Sequence, residues 1–150
     1  MAIRIGTPIP DFEGATEWLT GSALEARELV QGHITLVHFW AVSCHICKEN
    51  LPKVSQWRDT YKGVRVIAVH MPRYPADQDL ASVKEIVEKY GITEYCAIDN
   101  LHKLRDAFHN DQGFVPAYYL FDQTGKLKSY GAGEKGIDIA SAALQRLLAA

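Results

Sequence analysis

Cysteine is scarce in this chain: three residues in 150, at positions 44, 47 and 96. So few thiols cannot make the disulfide framework of a small secreted scaffold. Basic charge is not in surplus either, because 16 Lys and Arg stand against 18 Asp and Glu and the net charge is -2. That balance gives no broad cationic face for nucleic acid or an anionic membrane, and leaves proteins as the expected macromolecular partners. No apolar run approaches the roughly 18 residues of a membrane span. The opening Met1-Ala2-Ile3-Arg4-Ile5-Gly6-Thr7-Pro8 lacks the apolar core of a secretory signal, so a cytoplasmic location is expected. There is no internal repeat, low-complexity tract or linker-like cluster of Gly and Pro. With 47% hydrophobic residues, a single domain over residues 1–150 is expected.

The chemistry that is present is concentrated in Cys44-His45-Ile46-Cys47, directly after the apolar run Ile34 to Trp40 and directly before a helical pattern. Cys44 then falls at a helix N-terminus, where unpaired N–H groups and the positive end of the dipole favour a thiolate. It is the expected nucleophile. Cys47, nearly one turn on, is within bridging reach and is the expected resolving thiol. His45, when protonated, would favour the Cys44 thiolate. A zinc site is the alternative, yet His33, His38, His45 and Cys96 offer no second CxxC or paired-His motif to complete four ligands. Haem attachment would need histidine where Lys48 stands. A peroxidase of the Pro-x-x-x-Thr/Ser-x-x-Cys type would need proline where Trp40 stands. Cys96 reads as a buried small hydrophobe. Trp18, Trp57, Tyr118 and Tyr119 read as core or sheet-face aromatics, and Met71 to Pro75 as a connection at the active-site end of a strand.

Around the motif the pattern alternates strand and helix. Ser22 and Glu25 have capping-box spacing for a helix over about 23–30. Ile34 to Trp40 and Val64 to Val69 are continuous apolar strands, as expected when both faces are covered. Cys47, Leu51, Val54, Trp57 and Tyr61 form one helical stripe, in which Pro52 predicts a kink. A helix over 80–90 closed by Gly91, a strand over 95–98 and a helix capped by Asp99 or Asn100 and carrying Leu101, Leu104 and Phe108 follow. Residues 117–121 and 126–130 flank a hairpin turn, and a helix closes the chain. The order indicates an α/β fold, a mixed central sheet flanked by helices on both faces.

Taken together, the Pro8-to-Phe12 entry, Phe39-Trp40-Ala41 leading into CxxC, Pro52, Ile92 to Asp99 and Val115-Pro116-Ala117 resemble the thioredoxin-fold superfamily. Within it, the resemblance is to the TlpA/ResA-like branch of thiol-disulfide oxidoreductases. It implies a thioredoxin-like fold and disulfide exchange with protein substrates, with Cys44 attacking and Cys47 resolving. Trp40 would pack beneath the site, Pro116 would be a cis-proline facing the cysteines, and Val115 would offer backbone groups to the substrate chain. No bound cofactor is implied. An upstream reductase such as a thioredoxin-type system would regenerate the dithiol, and a monomer is expected. Two positions depart from the family. His38 replaces the buried carboxylate of thioredoxins, and Asn50 replaces the glutamate of the ResA group. Glu49, beside Asn50, is turned about 100° around the helix. His38 or Glu49 is therefore expected to take the proton from Cys47.

Overall fold

The computed structural model describes residues 2–150. In chain order the elements are β1 (Glu17–Thr20), α1 (Ala23–Val30), β2 (Ile34–Trp40), α2 (His45–Thr60), β3 (Val64–His70), α3 (Leu80–Tyr90), β4 (Tyr95–Ile98), α4 (Lys103–Ala107), β5 (Ala117–Phe121), β6 (Leu127–Ala132) and α5 (Gly136–Ala149). They build one six-stranded sheet of order β1-β4-β3-β2-β5-β6. β2, β3 and β4 run parallel, joined by the crossovers through α2 and α3, whereas β1, β5 and β6 pair antiparallel to their neighbours. The fold is the expected thioredoxin-like one.

The runs of β-branched and aromatic residues become the strands covered on both sides: every residue of β2 and of β5 is buried. Alternation then sorts their side chains. Val37, Phe39, Ile67, Val69, Tyr119 and Phe121 pack on one face with Phe12, Ala26, Leu104 and Phe108. Leu36, Val66, Tyr118 and Leu120 meet Val54 and Trp57 of α2 and Ala140, Ala143 and Leu144 of α5 on the other. Farther along that second face Trp40, Ala68, Cys96 and Ile98 lie under Cys44, Cys47, Leu51 and Val83. Ser22 caps α1, its Oγ accepting the Glu25 N–H at 3.1 Å as the capping-box spacing requires.

Several local expectations are revised. β1 is an added edge strand that the sequence does not signal, since four half-exposed residues acquire strand character only by pairing with β4. α2 runs unbroken from His45 to Thr60 through Pro52, with Cys47 and Leu51 before it and Val54 and Trp57 after it buried. The connection after β3 contains a 3-10 turn, Pro75–Gln78. The helix expected from Leu101 starts later, at Lys103, and leaves Leu101 exposed. Asp99 still serves its start, accepting the N–H groups of Leu104 at 2.8 Å and Arg105 at 2.9 Å.

Candidate active site

β2 ends at Trp40, and the chain turns through Ala41, Val42 and Ser43, closed by the Cys44 N–H donating to the Ala41 carbonyl at 2.9 Å. Cys44 is the extended N-cap of α2, and its Sγ accepts the Cys47 N–H at 3.1 Å. A sulfur in that position takes the place usually filled by a serine or aspartate oxygen. Any negative charge on it is stabilised by the unpaired N–H groups of the first turn. Cys44 and Cys47 are joined as a disulfide, their Cα atoms 5.2 Å apart, and both sit on Trp40 at the end of the sheet. Val115 packs against the same cluster, and the Val115–Pro116 peptide bond is cis. The Pro116 carbonyl accepts from Gly133 N–H at 2.9 Å. Among the described residues, no hydrogen bond engages the backbone of Val115.

The turn that carries Cys44 is held by groups that sequence reasoning missed. His70, the last residue of β3, is fully buried, edge-on to the Trp40 indole at 4.8 Å between centroids, and its Nε2 accepts the Val42 N–H at 3.2 Å. Burial pushes its pKa down to about 4, opposed by the charge of Asp77, so the ring is neutral near pH 7. Asp77 in turn accepts from Ser43 Oγ at 2.8 Å and from the N–H groups of Arg73 at 2.9 Å and Tyr74 at 3.3 Å. Burial alone would raise its pKa, but those bonds outweigh it and hold the carboxyl below its usual range. Arg73 closes the circuit, its Nη2 donating to the Ser43 carbonyl at 2.8 Å. The 71–75 connection is thus bolted to the residue before Cys44. The one signal in the sequence was a polar histidine ending an otherwise apolar strand at the same sheet edge as CxxC.

His38, on the same face of β2 as Trp40, is buried, and its Nε2 lies 2.7 Å from Glu94 Oε2. The second oxygen of Glu94 accepts from Arg58 Nη1 at 2.5 Å. Burial would raise the Glu94 pKa, yet the bond and charge of His38, with Arg58 behind them, hold it below the ordinary value. A buried carboxylate, brought from the loop before β4, thus stands against the imidazole on β2. Glu49 is 60% exposed, 2.8 Å from His45 Nε2 on the helix surface and about 200° around α2 from Cys47. Cys96 is fully buried on β4, and burial pushes its thiol up to about 12, so it holds no thiolate near neutral pH. The other ligands considered for zinc are dispersed, His33 toward Arg65 at 3.1 Å and His38 toward Glu94. Among the described residues no group of three or more His, Cys, Asp or Glu side chains is arranged to hold a metal ion.

The profile of the Redoxin family matches residues 4–145. The thiol-disulfide oxidoreductase YkuV of Bacillus subtilis is 40% identical over 148 residues, 98% of this chain and 98% of that protein. Protein DipZ of Mycobacterium tuberculosis is 32% identical over 93% of this chain, which spans only 20% of DipZ. Among solved structures, the solution structure of a thioredoxin-like protein in the oxidised form superposes with a TM-score of 0.87 at 40% identity, covering 98% of both chains. A thiol-disulfide isomerase from Corynebacterium glutamicum shares the fold, with a TM-score of 0.74 at 18% identity over 97% of this chain and 96% of that one.

Proposed function

The chain belongs to the Redoxin family and is a thiol-disulfide oxidoreductase, and from that premise we propose that it reduces disulfides of cytoplasmic proteins. It does so as a monomer whose dithiol is restored by an upstream thioredoxin-type reductase. The observation that carries this reading is the Cys44 sulfur at the start of α2, accepting the Cys47 N–H with its partner thiol one turn away. In the reduced protein the Cys44 thiolate attacks one sulfur of a target disulfide, forming a mixed disulfide and releasing the other target sulfur as a thiolate. Cys47 gives up its proton and attacks Cys44, which expels the second target sulfur and closes Cys44–Cys47. Two electrons have passed to the target. The imidazole of His38, with Glu94 behind it, receives the Cys47 proton; Glu49, on the helix surface, does not. Val115, next to the cis bond, supplies backbone groups for a short β-like pairing with the target chain, and Trp40 supports the sulfurs from below.

Trapping tests the assignment. A Cys47→Ala variant, reduced and offered a disulfide-bonded protein, should accumulate a mixed disulfide on Cys44 visible by non-reducing electrophoresis and intact mass. Absence of any adduct, with the unaltered protein still reducing the same target, would remove Cys44 as the attacking residue.

A further inference from the structure

A groove of about 240 Å³ has walls from three separate segments: Met71 to Arg73, the start of α4 with His102 and Arg105, and Gln112-Gly113. Its charged lining is entirely basic. A second groove, about 320 Å³ and lined by Val42 and Ser43, mixes Lys48 with Asp77 and Glu85.

Three features make the basic groove a built surface rather than a spread of mobile side chains. Arg73 is anchored by donating from Nε and Nη2 to Ser43 Oγ and from Nη2 to the Ser43 carbonyl, and its guanidinium lies 5.4 Å from the Tyr74 ring centroid. Its Nη1 hydrogens are not consumed by these bonds. His102 adopts a left-handed φ of 58° and its Nε2 donates to the Pro72 carbonyl at 2.8 Å, tying α4 to the same wall. The Arg105 backbone is fixed by the buried Asp99 carboxylate, which is spent on the α4 N–H groups. Two further carboxylates border the groove without lining it. Asp106 meets Arg105 Nε at 3.2 Å but is itself two-thirds exposed, and Asp111 is within electrostatic reach of Arg105. The hydrogen bond of Arg105 to Asp106 engages Nε and not the terminal nitrogens.

We propose that this groove seats acidic residues flanking the target disulfide, so that the protein selects disulfides in acidic segments of its protein substrates. The placement follows from covalent continuity: Arg73 bonds the peptide unit that leads into Cys44, and Gly113 stands two residues before Val115. A chain paired along Val115 with its disulfide at Cys44 passes over Arg73 and toward Arg105. Exposed Phe114 and Tyr74 give the flanks of that path an apolar surface. Guanidinium forks with fixed geometry suit carboxylates in particular.

The inference rests on disulfide reduction as the activity, and the test separates the two. Three short peptides are compared, each with one disulfide flanked by aspartates, glutamines or lysines. The chemically reduced protein is mixed with each, and thiol release is followed in a single turnover at low and high salt. 2-Hydroxyethyl disulfide, which has no charge to recognise, reports the exchange activity alone. At low salt the aspartate peptide should react about five- to tenfold faster than the glutamine peptide, two exposed ion pairs contributing a few-fold each. The advantage should vanish near 1 M salt, where the screening length falls to about 3 Å. Arg105→Gln should bring the ratio toward one, and Arg105→Glu should invert the order of the aspartate and lysine peptides. Equal rates for all three peptides, or a preference that salt and both Arg105 variants leave unchanged, would overturn the groove while leaving the exchange reading intact. No reaction with 2-hydroxyethyl disulfide would overturn both.

Discussion

At the scale of single residues, the imidazole of His38 is buried and tied to a carboxylate. One nitrogen is held by the ionised Glu94, itself held by Arg58, and the ring lies on the strand face onto which Cys47 packs. A carboxylate behind an imidazole fixes its orientation and stabilises the charge it gains on accepting a proton. His38→Gln should therefore slow resolution of the mixed disulfide by about 100-fold or more. Stopped-flow measurement of the second step at neutral pH checks this, and an unchanged rate would exclude His38 from the proton transfer. Positions 44 and 47 were legible from their spacing at the start of a helical stripe, whereas positions 40 and 116 were read from the family resemblance; Trp40 lies in the cluster under both sulfurs and the Val115–Pro116 bond is cis. The His38–Glu94 pair was not legible, since its members are 56 residues apart and only the packing of β4 beside β3 brings them together. The same holds for the Ser43–Asp77 contact, across a loop that reads as mere connection.

Among the elements, the seam between β6 and α5 depends on two glycines for steric rather than conformational reasons. A Cβ on Gly131 would lie 2.9 Å from the Gly136 carbonyl oxygen and 3.0 Å from Ile139 Cβ, so the helix must move outward to admit it. Gly131→Ala should cost about 1–3 kcal/mol, in the range of overpacked cores. Gly63→Ala, where nothing lies within 4 Å, should change stability by less than about 0.5 kcal/mol. Urea denaturation of the two variants against the unaltered protein reads the difference directly. β2 and β3, each rich in β-branched and aromatic or aliphatic residues, were legible for the reason that they are central. β1 was silent because an edge strand of mixed exposure owes its conformation to its partner rather than to its own residues. Pro52 lies inside an unbroken α2, with buried contacts on both sides of the proline.

For the molecule as a whole, the buried neutral histidine beneath the active-site turn sets a pH dependence of stability. The His70 pKa falls from 6.5 in the unfolded chain to about 4 in the fold, so between those values the unfolded state binds the extra proton. Stability from this group is complete above the upper value and declines as pH falls through the window, by up to about 3 kcal/mol. Glu94 and Asp77, whose folded pKa values are depressed, also withdraw stability on acidification, but only below the ordinary carboxylate range. Unfolding free energies of the protein and of His70→Asn, measured from pH 7.5 down to 4.5, should diverge in slope across this window, the variant being flatter. Parallel curves would show that His70 is not the titrating group.

Because β2 lies in the interior of the sheet between β3 and β5, with every one of its residues buried, the strand that delivers the thiols is also the one whose alteration most endangers folding. Redirecting such a protein toward new clients is therefore a task for surface engineering. Only the exposed side chains of the segments after β3 and before β5 can be rewritten at little structural risk, because Met71, Asp77 and Asn110 are buried there and Arg73 ties the first segment to Ser43, while the reactive centre and its supporting strand are kept as an invariant cartridge.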